Sequence, residues 1–238
     1  MSFFGLLNRL GYLCERMKTV AFIPIRLNSK RIPAKNLKFL GGKPLMYYIL
    51  DVLTKVNSID DIYVYCSDER IIQHLPSGIK FLKRPQYLDK DETLGEQIYD
   101  EFIKTINADI YILAHTTSPF IKAATIENSL AHIINGDNDS AFSCKKIQTF
   151  CWYNNNPLNY NLKNIPRTQD IEPVYEETSA FYMFRRNIWS GLHQRIGRNP
   201  YFAITDDIES VDIDWPEDFS FAERIINNIH RAKSSCTY

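Results

Sequence analysis

Six cationic side chains lie between residues 26 and 43 of this sequence, in a stretch that contains no carboxylate. They are Arg26, Lys30, Arg31, Lys35, Lys38 and Lys43. The whole chain of 238 residues is neutral, with 28 basic and 28 acidic residues, so this positive charge is a local feature. Cations held close together repel one another unless an anion neutralises them. The cluster therefore predicts a polyphosphate site, and the alternative is a solvated basic surface loop.

The basic stretch follows an apolar run at residues 19–25, where a strand of an open α/β sheet would end and a ligand would bind. Asn28 and Ser29 favour turn geometry and can bond phosphate or ribose, and Pro33 fixes part of the backbone. Neither G-x-x-x-x-G-K-[ST] nor G-x-G-x-x-G occurs there. Side chains, more than glycine backbone, must therefore hold the phosphates.

Two carboxylates near the end of the chain form a second candidate site. Asp212 and Asp214 lie in the segment VDID, which we interpret as a strand. Residues two apart on a strand face the same side, so both carboxylates would point the same way. Paired hard oxygens suit Mg²⁺, which also binds water and substrate phosphate. The alternative is a pair of solvated acids at a strand end.

A histidine lies at the end of the fourth predicted strand, in ILAHTTSP. His115 is either a hydrogen-bonded rim residue or a functional side chain, and the sequence leaves both readings open. No serine or cysteine nucleophile motif accompanies it, so it does not indicate a catalytic triad.

Strand and helix patterns alternate along the chain, which predicts a doubly wound α/β fold with a mostly parallel sheet. The predicted strands are residues 19–25, 61–67, 79–82, 109–114, 139–144 and 201–205. The predicted helices are residues 44–56, 69–75, 94–106, 122–135 and 216–229. Ligands are expected beyond the carboxyl ends of the strands.

The alternation breaks at residues 145–185, which are rich in asparagine, proline and aromatic residues. We interpret this segment as an extended β-hairpin arm. Its aromatic side chains need burial, and a second copy of the chain would provide it, which predicts a homodimer.

Composition excludes several classes of protein. Neutral net charge argues against nucleic-acid binding, and no apolar run is long enough for an integral membrane segment. Five cysteines without C-x-x-C spacing predict reduced thiols and a cytoplasmic protein. Residues 1–16 are predicted to be a leader or a surface helix, and residues 17–238 the folded domain.

The motifs together resemble one family. RLNSKRIPAKNL at 26–37 resembles the R-x-x-S-K-x-x-P-x-K-N signature of CMP-sialic acid synthetases (acylneuraminate cytidylyltransferases), whose relatives activate other nonulosonic acids and KDO. RPQYLDKDET at 84–93, TTSPF at 116–120 and SVDIDWPEDFSFAE at 210–223 resemble its later segments, in the same order. The resemblance covers about residues 18–230 and implies a Rossmann-like nucleotidyltransferase domain. It implies transfer of CMP from CTP to an acidic sugar, with release of pyrophosphate.

The resemblance also implies roles for individual residues. Arg26, Lys35, Asp212 and Asp214 would be catalytic, and the two aspartates would hold Mg²⁺. The nucleotide would be bound by Arg26, Asn28, Ser29, Lys30, Lys35, Asn36, Arg84, Asp91 and Gly95. The sugar would be bound by His115, Thr116, Arg167, Gln169, Glu176 and Tyr182.

Two departures from the family pattern concern the acceptor. His115 stands where the family has glutamine, and Glu176 and Glu177 stand near the position of a family arginine. We expect CTP and an acidic 2-keto-3-deoxy sugar as substrates. A KDO-type or polyol phosphate acceptor, or an inactive nucleotide-binding homologue, remains an alternative.

Overall fold

The computed structural model describes residues 16–235. The strands, in chain order, are β1 (Thr19–Pro24), β2 (Phe39–Leu40), β3 (Lys43–Pro44), β4 (Asp61–Cys66), β5 (Lys80–Lys83), β6 (Ile110–Ala114), β7 (Ser140–Ile147), β8 (Trp152–Tyr153), β9 (Asn156–Pro157), β10 (Val174–Arg185) and β11 (Pro200–Ile204). Seven of them form a central sheet in the order β11-β7-β10-β6-β1-β4-β5. Within this sheet β10 pairs antiparallel with both neighbours, and the other pairs are parallel. The predicted mostly parallel α/β fold is confirmed.

Helices cover both faces of the sheet. They are α1 (Met46–Leu53), α2 (Gly95–Thr105), α3 (Ala123–Ile134), α4 (Arg186–Leu192) and α5 (Pro216–Ser235), with 3₁₀ turns at Lys35–Leu37, Glu69–His74, Gln86–Asp89 and Thr168–Asp170. The helix predicted at 69–75 is a 3₁₀ helix, and α4 was not predicted. None of the helices within residues 16–235 is long and apolar enough to cross a membrane.

Strand β1 shows why the sheet is buried on both sides. Ala21 and Ile23 pack with α1 and α3, whereas Val20 and Phe22 pack with α2 and α4. Alternate residues of a strand face opposite sides, so a strand covered on both faces must be continuously apolar. Phe22 stacks on Phe102 of α2 at 4.3 Å between ring centroids. Burying a side chain of that size contributes about 1.5–3 kcal/mol.

A third apolar cluster joins the basic loop to the end of the chain. Ile32 of the loop, Leu45 and Leu40 pack with Ile213 and Phe219. The β2–β3 turn within this cluster is closed by Gly41 and Gly42, both at positive φ. A Cβ on Gly41 would lie 2.1 Å from a side-chain carbon of α5, so glycine is required there. This cluster fixes the loop against the segment that carries the two aspartates.

The segment predicted to be an arm contains the hairpin β8–β9. Its two-residue turn, Asn154 and Asn155, has positive φ at both positions, as a type I′ turn requires. Large apolar side chains on this segment are exposed: Trp152, Tyr153, Leu158, Leu162 and Ile165. The strands on either side of this segment, β7 and β10, pair antiparallel with each other within the central sheet. The hairpin prediction is confirmed, and the homodimer stays a prediction.

Two sequence predictions concern segments that the structure folds differently or does not describe. Asp212 and Asp214 were expected on a strand, but residues 211–214 form irregular structure with no strand pairing, so that prediction is wrong. The leader or helix predicted for residues 1–16 lies outside the described residues, apart from Arg16, which pairs with Asp60.

Candidate active site

Strands β4 and β5 lie on one side of β1, and the next strand along the chain, β6, lies on the other side. The order of strands therefore reverses at β1, where the carboxyl ends of β1 and β6 are adjacent. This reversal is the usual ligand position in open α/β sheets. A cleft opens there, which we call the main cleft. The predicted residues lining it are Arg26, Ser29, Lys30, Lys35, Asn36, His115, Thr116, Asp212 and Asp214.

The basic loop contains no carboxylate of its own, but the fold brings two aspartates from other segments next to its cations. Arg26 and Lys30 both pair with Asp91, whose pKa is lowered chiefly by the hydrogen bond from Lys30. Arg31 and Lys35 pair with Asp214, at 3.0 and 3.4 Å. Four cations of the loop are thus paired with only two aspartates, both from distant segments, which leaves an excess of positive charge on the loop. These pairs are mostly exposed, so each is weak and an incoming polyanion can replace its carboxylate.

Lys38 and Lys43 lie away from the main cleft. Lys38 lies over the ring of Phe219, with Nζ 4.0 Å from its centroid. Lys43 lies over the ring of Tyr48 and 3.8 Å from a carboxylate oxygen of Asp51. Of the six cations that the sequence groups together, these two contribute to packing.

Asn36 and Thr116 fix the geometry of the cleft wall. The Asn36 amide donates to the carbonyl of Arg26 at 2.9 Å, and its oxygen accepts from the Thr116 hydroxyl at 2.6 Å. Both side chains are buried. This chain of bonds ties the start of the basic loop to the end of β6, so the structure gives these residues a positioning contact.

Asp212 is the most unusual group of the cleft. One carboxylate oxygen, Oδ1, is buried and has no hydrogen-bond partner among residues 16–235. Burial raises the pKa of Asp212, and the negative charge of Asp214 adds to that effect, whereas Thr117 and Lys35 oppose it. A buried unpaired carboxylate oxygen is costly unless a ligand satisfies it. Nearby, Lys35 Nζ donates to the carbonyl of Ile213 at 2.7 Å, which places the lysine directly beside this segment.

The donor set fits a divalent metal completed by substrate. Within residues 16–235, no group of three or more His, Cys, Asp or Glu side chains is arranged to hold a metal. Mg²⁺ commonly takes one or two carboxylates and fills its remaining positions with water and phosphate oxygens. The free Oδ1 of Asp212 suits that role, while Asp214 would have to release Arg31 or Lys35.

His115 is held by an unusual segment of β10. Its backbone N–H donates to the carbonyl of Ala180 at 3.1 Å, and its ring Nδ1 lies 2.5 Å from the carbonyl of Ser179. Burial lowers the pKa of the His115 imidazole, and the positive charges of Arg195 and Lys35 add to this effect, whereas the hydrogen bond with the Ser179 carbonyl opposes it. The net effect favours the neutral ring, which lines the main cleft.

A second cleft, which we call the adjoining cleft, shares Arg26 and Lys30 with the main cleft. Asn28, Asp89 and Asp91 also line it. Arg84, predicted to be near a base, is buried behind it and binds Asp89 at 2.6 Å. The Arg84 side chain therefore orients a cleft carboxylate. Gly95 lines a different cleft, beside Tyr99 and Arg195.

The remaining predicted sugar residues are dispersed. Arg167 and Gln169 lie exposed in the 3₁₀ turn at Thr168–Asp170 or beside it, where Arg167 pairs with Asp170. Glu176 lines a small acidic cleft next to Asp212. In one chain, therefore, Arg167 and Gln169 do not reach the main cleft.

Tyr182, predicted to bind the sugar, is buried beside His115 and contacts a residue that the sequence did not single out. Its hydroxyl donates to Glu177 at 2.6 Å, and its buried phenol has a pKa raised by burial to about 12. Arg195 lies over its ring at 3.7 Å and 3.6 Å from the Glu177 carboxylate. Arg195 has no recognisable motif, so only the fold reveals its position.

Comparisons with known proteins show which family the chain is similar to. A family model described as cytidylyltransferase matches residues 20–235. The N-acylneuraminate cytidylyltransferase of Oncorhynchus mykiss is 28% identical over 217 residues, which cover 85% of this chain and 50% of that protein. The CMP-N,N'-diacetyllegionaminic acid synthase of Legionella pneumophila is 24% identical over 226 residues, covering 88% and 97%. This chain thus spans about half the length of the fish relative and nearly all of the bacterial one.

The fold also matches solved structures. A CMP:2-keto-3-deoxy-manno-octonic acid synthetase complexed with CTP superposes with a TM-score of 0.69 and 19% identity, covering 89% of this chain and 99% of that one. A 4-diphosphocytidyl-2C-methyl-D-erythritol synthase from Anaerococcus prevotii superposes with a TM-score of 0.61 and 12% identity, covering 89% and 96%. At these identities the likeness establishes the fold.

Proposed function

The chain belongs to the cytidylyltransferase family, and from this premise we propose that it transfers CMP from CTP to an acidic sugar of the sialic acid type, releasing pyrophosphate. The observation that supports the proposal most directly lies in the main cleft. Arg26, Lys30, Arg31 and Lys35 face Asp212 across a space at the ligand position of the sheet. A triphosphate matches the cations, and the unpaired Asp212 oxygen matches a metal ion accompanying it.

In the proposed mechanism the sugar hydroxyl attacks the α-phosphorus of CTP. The new O–P bond forms as the hydroxyl loses its proton to water and the bond from the α-phosphorus to the oxygen that bridges it to the β-phosphorus breaks, so that pyrophosphate leaves. Fixed cations stabilise the charge that grows on the leaving group, and Arg26 and Lys30 would exchange Asp91 for phosphate oxygens. Lys35 has few alternative positions, because its side chain is only 13% exposed.

Asp212 and Asp214 are the residues that would hold Mg²⁺. When bound, the metal would neutralise charge on the attacking and leaving oxygens. Asn36 and Thr116 would hold the backbone at Arg26 in place during the reaction.

The two clefts suggest where the parts of the substrates lie. The adjoining cleft would take the nucleoside, since it shares Arg26 and Lys30 with the main cleft. The His115 side of the main cleft would take the acceptor. The named relatives act on N-acylneuraminate and diacetyllegionaminic acid, which supports an acidic sugar as the acceptor class.

A homodimer belongs to the same proposal. Trp152, Tyr153, Leu158 and Ile165 are each more than half exposed on the arm, and burial in a second copy would remove that apolar surface from water. Arg167 and Gln169 lie on the same segment, so a partner's arm could bring them to an acceptor. The cytoplasmic location stays a prediction.

The proposal is tested by pyrophosphate release with each of the four nucleoside triphosphates. Each would be combined with N-acetylneuraminic acid, diacetyllegionaminic acid, KDO and a polyol phosphate, in the presence of Mg²⁺. We expect release with CTP and with one or more of the acids. The proposal would be contradicted if pyrophosphate were released with ATP or GTP but not with CTP, or if none of the acceptors gave release.

A further inference from the structure

The pairing of β10 with β7 is interrupted in the middle of both strands. The two strands pair as far as Glu177 opposite Cys144, and pair again from Tyr182 opposite Phe142. Residues 178–181 therefore bulge out opposite the single residue Ser143. Such bulges often redirect a side chain or carbonyl beside an active site.

Ser143 is the residue that supports the bulge. It is fully buried, and its hydroxyl oxygen accepts from the backbone N–H groups of Ala180 at 2.9 Å and Phe181 at 3.3 Å. Because strand pairing is interrupted here, these two N–H groups bond to the serine hydroxyl in place of a carbonyl of β7. An unsatisfied buried N–H would be costly, so the serine hydroxyl stabilises this conformation of the bulge.

The bulge places one carbonyl in an uncommon orientation. Ser179 adopts a φ of 57°, in the left-handed region that residues other than glycine rarely use. Its carbonyl consequently faces the His115 ring, while the carbonyl of Ala180 accepts from the His115 backbone. His115 is thus attached to the bulge through both its backbone and its ring.

The chemistry of a carbonyl oxygen selects one form of the ring. A carbonyl only accepts hydrogen bonds, so Nδ1 must carry the hydrogen, and in a neutral ring Nε2 then has a free lone pair. The charged and titratable groups around the ring favour this neutral form. Lys35 and Arg195 are both positive, and the Tyr182 phenol, whose ring centroid lies 6.2 Å from that of His115, is neutral and donates a hydrogen bond to Glu177.

We propose that Ser143 is a positioning residue for the second substrate: through the bulge at 178–181 it holds His115 in the Nδ1-protonated form, leaving Nε2 to accept a hydrogen bond from a hydroxyl of the acceptor. The inference rests on the proposed function for the identity of that acceptor. It extends that function by stating which chemical group His115 recognises, namely a hydrogen-bond donor, and by connecting this preference to a buried serine outside the cleft.

Ring tautomers provide the first test, and they need no substrate. Protein labelled with ¹⁵N in histidine would be studied by NMR at pH 7.5, with the His115 signals assigned by their loss in His115→Gln. We expect wild-type His115 to carry its hydrogen on Nδ1 and Ser143→Ala to show a mixture of tautomers. Ser129→Ala is the matched control, because Ser129 is equally buried and its hydroxyl bonds within α3. An Nε2-protonated ring in the wild type would overturn the inference.

Kinetics provide the second test, using whichever acid of the panel is turned over. Loss of one hydrogen bond corresponds to roughly a three- to tenfold effect. We expect Ser143→Ala to raise KM for the acid by about that factor, with the Kd for CTP within twofold of wild type. Ser129→Ala should change neither constant.

Two substitutions of the histidine separate its two nitrogens. His115→Asn can still donate to the Ser179 carbonyl but lacks an acceptor at the Nε2 position, so we expect it to lose acid binding. His115→Gln reaches the Nε2 position and should retain more. If His115→Asn binds the acid as well as wild type does, or if Ser143→Ala weakens CTP as much as the acid, the inference fails. If no acid is turned over, the proposed function fails, and the NMR experiment still decides the tautomer.

Discussion

Replacing Asp212 by asparagine should make the protein more stable and almost inactive. The structure gives the reason for both effects. Oδ1 of Asp212 is buried without a partner, and burial raises the pKa of the carboxyl group, so folding at neutral pH retains an unfavourable charge. The same oxygen is the best candidate for a metal ligand. Asparagine keeps the shape and removes the charge.

Asp212→Asn should raise the free energy of unfolding and lower turnover. An unpaired buried polar atom costs about 1–3 kcal/mol, and asparagine still leaves one polar atom unpaired. We therefore expect a gain of only about 1 kcal/mol, or roughly 2–4 °C in Tm for a chain of this size. For catalysis, a metal supplies several kcal/mol, and each ~1.4 kcal/mol is a factor of ten in rate. Turnover should fall by about 10²-fold or more, with partial rescue at higher Mg²⁺.

The pH dependence follows from the direction of the pKa shift. Because the folded-state pKa of Asp212 lies above the ordinary value of 3.8, the folded protein holds this proton more tightly than the unfolded chain. The cost of the charged group is therefore complete above the folded-state pKa and disappears as the pH falls below 3.8. The stability advantage of Asp212→Asn should vanish over the same range.

Thermal unfolding at several pH values and pyrophosphate release against Mg²⁺ concentration measure the two effects. Asp207→Asn is the control, since Asp207 is 87% exposed and its substitution removes a charge without burial. It should change Tm by less than about 1 °C and leave turnover intact, because exposed substitutions are usually mild. If Asp212→Asn and Asp214→Asn both keep near wild-type turnover at low Mg²⁺, the metal site proposed here is wrong.

Three further outcomes are expected. Lys35→Ala should lower turnover by about 10²-fold, whereas Lys38→Ala, which removes a cation of the same loop outside the main cleft, should stay near wild type; a loss below threefold for Lys35→Ala would show that Lys35 does not stabilise the transition state. His115→Gln should change the order of preference among acceptor acids while isothermal calorimetry finds the CTP affinity nearly unchanged, and a large loss of CTP binding with the order unchanged would place His115 elsewhere. Light scattering should give a homodimer at micromolar concentration, and Trp152→Ser with Ile165→Ser should weaken it; a fully active monomer would refute that arrangement.

Much of the fold could be predicted from sequence because periodicity reports burial directly. The continuous apolar runs of β1 and β6 indicate strands covered on both sides, and the turn asparagines indicate the β8–β9 hairpin. The basic stretch could be placed at the edge of the sheet where such folds bind ligands, because it follows the first strand, and the structure confirms that position.

What the sequence did not reveal depends on contacts between distant segments. VDID has strand-like composition, but residues 211–214 have no strand pairing, and Ile213 instead packs in the third apolar cluster. Propensity yields to tertiary context in such short segments. Ser143 and Arg195 belong to no motif. Their contacts with the bulge and with Tyr182 arise only when β7, β10 and the chain after α4 come together.

The pairing of the loop cations indicates how the proposed site would select a triphosphate. In the free protein Asp91 and Asp214 each bind two of the four cations that line the main cleft. A ligand must replace these carboxylates, so its net binding free energy is the difference between two sets of ion pairs, not the sum of the new ones. A single phosphate carries only about as much negative charge as the two aspartates it would replace, whereas a triphosphate carries more and can pair with all four cations. Asp214, once released from Arg31 and Lys35, would then be available to the proposed metal ion beside the unpaired oxygen of Asp212.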